Sequence, residues 1–260
     1  MKSSLKNHRI AITRASDQSS TLRRRLETLG AHVLELPLIE TRSAYDKATA
    51  ADVFAEVGSY DWIVFTSANG VRYFFKLFIK HFNDIRALGI MRIAAIGKGT
   101  AKALAKYYLT PDLMPDDADS ESLGKALIED GVENRKMLLI TGNLNRETLV
   151  TSLEQNMAIV DAFQVYETVK SDLSDCEDAL DFCKAGADAL LFCSPSAVSS
   201  FVDQAAALQR ADAARVPKTF SIGQVTTDAM KKAGIPVDVT AHESSIDGLI
   251  EALEQRFSEE

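Results

Sequence analysis

In Trp62-Ile63-Val64-Phe65-Thr66-Ser67-Ala68-Asn69-Gly70-Val71 an apolar, partly β-branched run leads straight into a helix start. Four apolar residues in a row read as a strand covered on both faces. Ser67 then stands where a hydroxyl caps the first helical turn. A strand that feeds a helix in this way is the half-unit of a parallel α/β layer. The same arrangement returns 127 residues later, where Phe65-Thr66-Ser67 becomes Phe192-Cys193-Ser194. There Pro195 suits the first turn of the following helix.

The echo extends along the chain. Ile96-Gly97 with Thr100 recurs as Ile222-Gly223 with Thr226 after 126 residues, and Ile12-Thr13 recurs as Ile140-Thr141 after 128. Leu22 and Leu26 recur as Leu149 and Leu153, and Glu40-Thr41 as Glu167-Thr168, all after 127. Such a period is far too long for a solenoid and matches a whole small α/β domain. Two similar domains are therefore expected, and the repeat alone would make them two contiguous halves. No Pro/Gly/Ser-rich linker separates them. Val33–Thr41 and Val160–Thr168 are strand-like and hold equivalent places, so they are the expected connection, with a ligand cleft between the domains.

Other strands are expected at Arg9–Thr13, His32–Leu36, Arg92–Ile96, Lys136–Thr141, Ile159–Tyr166, Ala189–Cys193, Thr219–Ile222 and Val237–Thr240. Helices are expected near 17–29, 46–57, 69–82, 99–107, 120–130, 145–156, 174–184, 196–209, 225–233 and 245–257. Strands alternating with helices predict mainly parallel sheets.

Composition narrows the function. The chain has 260 residues, 46% hydrophobic and 25% charged, with 29 Lys+Arg against 37 Asp+Glu and a net charge of −8. An acidic chain without a basic stripe is a poor nucleic-acid binder. The longest uncharged stretch, 189–202, falls short of the roughly 18 residues that a membrane span needs. The N-terminal MKSSLKNHRIAITR predicts no signal peptide. Cys176, Cys183 and Cys193 fit no metal spacing and read as reduced thiols of a cytoplasmic protein. His8, His32, His81 and His242 are scattered, so no metal site is expected.

Four strand-to-helix turns share one design: Phe65 to Gly70, Phe192 to Ala197, Gly97-Lys98-Gly99-Thr100 and Gly223-Gln224-Val225-Thr226. Ligands of open α/β sheets bind beyond the carboxyl ends of strands, where helix N-termini suit carboxylates or phosphates. Any one Ser or Thr here reads better as a helix cap than as a binder; the fourfold repetition raises the binding reading for the set. GxGxxG is incomplete because position 102 is Lys102, and GxxxxGK[ST] and GxSxG are absent. Gly142-Asn143-Leu144-Asn145-Arg146-Glu147 follows a strand; Gly142 permits close approach, and Arg146 either pairs with a carboxylate or is an exposed helix residue. Arg14, its counterpart in the other repeat, ends a strand. Lys98 and Lys102 sit on a first helical turn, which suits either a neighbouring anion or open solvent. Tyr166 ends the second connecting strand, where the first repeat has Ile39. It reads either as a packing aromatic or as a hydrogen-bond donor and general acid.

Taken in order, these motifs resemble the uroporphyrinogen-III synthase family over essentially the whole chain. The resemblance rests on Phe65-Thr66-Ser67-Ala68-Asn69-Gly70-Val71, Ala95-Ile96-Gly97 with Thr100-Ala101, Gly142-Asn143-Leu144 with Arg146-Glu147, Tyr166-Glu167-Thr168, Phe192 with Ser194-Pro195-Ser196-Ala197-Val198, and Ile222-Gly223 with Thr226. It departs from the family pattern at Ala15 and at Gln224-Val225. It implies two flavodoxin-like lobes joined by a two-stranded antiparallel ladder. One lobe would comprise 1–35 with 170–260 and the other 42–162, with 36–41 and 163–169 crossing.

The resemblance further implies cyclisation of hydroxymethylbilane with inversion of its terminal pyrrole ring and loss of water, a lyase reaction of heme biosynthesis without cofactor or metal. By the same match Tyr166 would assist loss of the hydroxyl. The implied substrate-binding set is Arg14, Ser67, Ala68, Asn69, Gly97, Lys98, Thr100, Gly142, Arg146, Ser194, Ser196, Gly223, Gln224 and Thr226. The expected protein is a cytoplasmic monomer whose partners are the octacarboxylate substrate and, transiently, hydroxymethylbilane synthase. The alternative is a non-catalytic two-lobe binder of small anions. The net charge disfavours an octa-anion at long range, unless the cleft is locally positive or salt screens the remote charge beyond about 8 Å.

Overall fold

The computed structural model describes residues 4–13, 16–144 and 148–258, with the backbone alone for 16–20. The chain divides into two compact units, Met1–Glu40 with Val169–Glu260, and Thr41–Thr168.

In the contiguous unit, strands β4 (Trp62–Phe65), β5 (Arg92–Ala95), β6 (Lys136–Gly142) and β7 (Ile159–Lys170) form a sheet with β3 (Ile39–Ser43) at its edge, in the order β3-β7-β6-β4-β5. β4 pairs in parallel with β5 and β6, and β6 in parallel with β7. Successive side chains face opposite ways along a strand, so each apolar run serves two cores. Ile63, Phe65, Ile93, Leu138, Ile140, Phe163 and Val165 pack on one face, beneath helices α2 (Lys47–Ala55), α3 (Ala68–Phe82) and α4 (Gly97–Ala105). Phe54 of α2 and Phe74, Phe75 and Phe78 of α3 fill that core. Each such side chain contributes roughly 1.5–3 kcal/mol by leaving water. Trp62, Val64, Ala94, Met137 and Leu139 face the other way, beneath α5 (Ser120–Asp130) and α6 (Thr148–Gln155).

The discontinuous unit repeats this plan. Strands β1 (Arg9–Ile12), β2 (His32–Glu35), β8 (Ala189–Phe192), β9 (Lys218–Ser221) and β10 (Val239–Thr240) lie in the order β10-β9-β8-β1-β2, all parallel. Ile10, Ile12, Val33, Leu191 and Phe220 pack against α1 (Ser16–Thr28) and α10 (Ile246–Ser258). Ala11, Leu34, Leu190 and Phe192 pack against α7 (Glu177–Ala185), α8 (Pro195–Asp203) and α9 (Gln224–Lys232). The duplication read in the sequence is thus a duplication of topology: β8, β9, β1 and β2 match β4, β5, β6 and β7. Even the short β10 has a counterpart, a parallel bridge from Leu113 to Ala94 beside β5.

The strand-like segment Val33–Thr41 is divided. β2 ends at Glu35, and β3 begins at Ile39 in the other sheet. Pro37 between them has no N–H to offer a ladder. The Leu38 carbonyl left over accepts from Ser171 N–H and from the buried Gln204 side chain. Among the described residues no helix is long and apolar enough to cross a membrane.

Candidate functional site

In each sheet the strand order reverses direction at one place, between β4 and β6 in one unit and between β8 and β1 in the other. The helices that follow such a strand pair leave for opposite faces, which opens a crevice at the carboxyl edge. Ser67 follows β4 and Gly142 closes β6, so both stand at the crevice of the contiguous unit.

Tyr166 reaches the same point through an irregularity of the ladder. Thr141 pairs with Gln164, but the next residue, Gly142, pairs with Tyr166. The extra residue on β7 is a bulge, a device that re-aims the side chain beyond it. The phenol oxygen of Tyr166 then lies 3.1 Å from Ser67 Oγ. Ser67 Oγ also accepts from Gly70 N–H at 3.0 Å and caps α3. The Tyr166 ring lies against the backbone of Gly142, where a Cβ would fall 2.5 Å from Tyr166 Cζ. Tyr73 on α3 stacks parallel to it, with centroids 5.6 Å apart and planes 13° apart. Tyr73 is itself held by its hydroxyl, which donates to the Thr41 carbonyl, and Arg72 Nη2 donates to Thr41 Oγ1 at 3.0 Å.

A cavity of about 830 Å³ opens beside this group, lined by Thr66, Ser67, Gly142, Leu144, Tyr166 and the first two turns of α5 and α6. Asp119 and Glu121 add negative charge to its wall and Lys125 adds positive charge. Asp119 caps α5 by accepting from Ser122 N–H at 2.8 Å, and that bond holds its carboxyl below the usual carboxylate range. Glu121, bonded to Lys125 at 2.8 Å, keeps that ammonium above the usual lysine range.

One strand over, Gly97 opens α4 at φ +74°, a backbone favouring glycine. No side chain caps this helix. Lys98 is exposed, and Thr100 is buried in the first turn. Ala68 is exposed and Asn69 half-buried in the first turn of α3.

The discontinuous unit shows the same two turn types. Ser194 caps α8 by accepting from Ala197 N–H at 3.1 Å, and its Oγ lies 2.9 Å from Ser196 Oγ. Gly223 precedes α9 without any side-chain cap. A Cβ there would strike Ser244 Oγ at 2.5 Å. The Gln224 side chain donates to Asp228 at 2.9 Å, and Thr226 is buried. Beneath this turn Thr227 Oγ1 links the hydroxyls of Ser221 and Thr240, tying β9, α9 and β10 together. The turns therefore divide by chemistry. The serine turns satisfy a helix N–H with a side chain, whereas the glycine turns have no side-chain cap. At α9 the Thr226 N–H instead donates to the Gly223 carbonyl at 3.1 Å, and the groups before it face solvent or ligand.

Of the expected site residues, the structure brings Ser67, Gly142 and Tyr166 into one cluster. Gly97, Lys98 and Thr100 lie on the same sheet edge. Arg14 and Arg146 lie outside the described residues. Among the described residues no group of three His, Cys, Asp or Glu side chains could hold a metal ion. Neither the stacking by Tyr73 nor the hydroxyl chain through Thr227 is legible in the sequence, since both depend on tertiary register.

A family model described as uroporphyrinogen-III synthase HemD matches residues 20–251. The chain belongs to the uroporphyrinogen-III synthase family. The porphyrin biosynthesis protein HemD of Ruminiclostridium josui is 28% identical over 253 residues, covering 97% of this chain and 49% of that protein. The chain thus spans about half the length of that relative. A uroporphyrinogen-III synthase of Chlorobaculum parvum is 26% identical over 232 residues, covering 88% of this chain and 91% of that one. The fold is that of a uroporphyrinogen III synthase mutant from Thermus thermophilus, with a TM-score of 0.63 at 20% identity, covering 97% of this chain and 100% of that one. The stretch matched by the uroporphyrinogen-III synthase family model takes in Ser67, Gly142, Tyr166, Ser194 and Gly223 and leaves out Arg14.

Proposed function

We propose that the protein converts hydroxymethylbilane to uroporphyrinogen III, and that Tyr166 donates the proton that releases the substrate hydroxyl. The observation that carries this reading is the Tyr166–Ser67 pair at the crevice of a chain whose family is established. Ser67 Oγ accepts the Gly70 N–H, so its own hydrogen can point to the Tyr166 oxygen. That leaves the Tyr166 hydrogen for the substrate, and the N-terminus of α3 stabilises charge that develops on the phenol oxygen.

The chemistry then proceeds as follows. The hydroxymethyl oxygen takes the proton, its C–O bond breaks, and water leaves. The pyrrole nitrogen supplies electron density to the resulting azafulvene cation. The substituted carbon of the terminal ring attacks it and forms a spiro intermediate. The older bond from that carbon to its bridge carbon breaks. The bridge carbon is recaptured by the free position of the same ring, now turned over. Loss of the proton from that position restores the pyrrole and returns a proton to Tyr166. Uncatalysed closure gives the unflipped isomer, so holding the reacting ends in place carries much of the rate advantage.

The uncapped first turn of α4 and the Gln224 and Val225 N–H groups of α9 are our candidates for substrate carboxylates, together with Ser67, Ser194 and the neighbouring side chains of the expected set. We assign 36–41 and 163–169 as the crossing strands of the two lobes. We further place the protein in the cytoplasm as a monomer that receives its unstable substrate through transient contact with hydroxymethylbilane synthase.

An isomer assay tests the reading. Freshly generated hydroxymethylbilane is mixed with the protein, quenched, oxidised and resolved into type I and type III porphyrins. Predominant type III is expected, and Tyr166→Phe should lower kcat by about 10²-fold or more, as loss of a positioned proton donor does. Type I alone, at the background rate with folded protein, would replace the enzyme by an anion-binding protein.

A further inference from the structure

Asn143 stands one residue beyond the last residue of β6, yet its side chain continues the ladder. Its Nδ2 donates to the Thr168 carbonyl at 3.1 Å, and its Oδ1 accepts from Thr168 N–H at 2.8 Å. The N–H and C=O of one extended residue point the same way, so a single carboxamide can meet both. The bulge lies between Thr141 and Gly142, and the carboxamide clamp lies on its far side. Tyr166 is thus held between a regular ladder ending at Gln164 and a side-chain clamp at Thr168. Both bonds are exposed, where each adds little net stability. Their consequence is geometric: β3 holds the other edge of β7, where Ala44 N–H donates to the Val165 carbonyl at 3.3 Å, and on the β6 side the carboxamide sets the register beyond the bulge.

We propose that Asn143 is a positioning residue that sets the place of the Tyr166 hydroxyl relative to Ser67. This rests on the reading of Tyr166 as the proton donor. Asn143 acts through the β7 backbone, so its loss shifts Tyr166 without removing any group from the substrate. Displacement of a reacting group by an ångström costs about 10- to 100-fold in rate.

The test is a double-mutant cycle on the full chain with Asn143→Ala, Tyr166→Phe and the combined variant. Hydroxymethylbilane kcat and KM, the type III to type I ratio and the melting temperature are read for each. Asn143→Ala should lower kcat about tenfold or more and leave KM within about twofold, the pattern of an interaction used only in the transition state. Its type III fraction should fall as spontaneous closure competes. In the Tyr166→Phe background the same change should alter kcat by less than about twofold, because the group that it positions is gone. An unchanged kcat in Asn143→Ala, or an equal loss in both backgrounds, overturns the proposal and leaves the role of Tyr166 standing. A wild-type kcat in Tyr166→Phe removes the proton-donor reading and this proposal with it. If Asn143→Ala does not fold, Asn143→Asp, which keeps the acceptor for Thr168 N–H and loses the donor, takes its place in the cycle under the same criteria.

Discussion

Gly142 shows how a residue without a side chain can determine where another side chain sits. It has no left-handed φ, so alanine meets no backbone strain there. The obstacle is the Tyr166 ring, whose Cζ and Cε atoms lie 2.5–2.8 Å from the site of a Cβ. Gly142→Ala should therefore push the ring off its seat and lengthen the contact with Ser67. Overpacking of this kind costs about 1–3 kcal/mol, which a domain of this size tolerates. The expected outcome is a folded protein with a modestly lower melting temperature, a kcat reduced toward that of Tyr166→Phe, and more type I product. Wild-type turnover in Gly142→Ala, measured by the isomer assay, would show that the close approach has no bearing on the reaction. The sequence made Gly142 a site of close approach but did not say what approaches. The partner lies 24 residues away on another strand, and it is opposite Gly142 only because the ladder slips by one residue.

At the level of elements, the duplication supplies its own control. α3 and α8 start with the same serine cap: Ser67 to Gly70 N–H at 3.0 Å and Ser194 to Ala197 N–H at 3.1 Å. Either serine changed to alanine should cost about 1 kcal/mol of stability from the lost cap. Only Ser67 also meets a phenol oxygen. Ser67→Ala should therefore lower kcat several-fold more than Ser194→Ala at equal loss of stability, with chemical denaturation and the isomer assay as the two measurements. Equal kcat in the two variants would assign Ser67 to capping alone. The serine caps, the repeat and nearly every strand were legible in the sequence, because strand hydrophobicity and cap chemistry are local; Thr100 and Thr226, which also read as caps, lie inside α4 and α9, which no side chain caps. The break at Pro37 was not, since two strands of different sheets follow each other with three residues between them. Nor was the clamp of Asn143 on Thr168. Asn143 reads as one residue of a turn, and its second role exists only once β6 and β7 lie side by side.

The whole molecule is two copies of one plan threaded so that one copy is contiguous and the other is not. The unit Thr41–Thr168 holds its sheet except for the first two residues of β3 and the last two of β7, and the clusters on its two faces draw only on residues within that range. At about 130 residues it lies within the usual size of an autonomous domain. Its aromatic core is dense: Phe54 alone sits within 6.3 Å, centroid to centroid, of Phe74, Phe78, Phe82 and Phe163. Its ladder is closed by contacts internal to the segment, including Arg42 to Glu167 and Asn143 to Thr168. A fragment spanning 41–168 should therefore fold alone and unfold cooperatively, with dispersed amide resonances and a single thermal transition. The other unit needs 1–40 and 169–260 together. Its β1 pairs on one side with β2 and on the other with β8. The C-terminal piece alone would therefore expose the edge of β8 that β1 covers. That piece is expected to aggregate unless the N-terminal piece is supplied. A 41–168 fragment with collapsed, undispersed spectra would mean that its core is completed by the rest of the chain, and that the repeat is a duplication of topology without a duplication of folding autonomy.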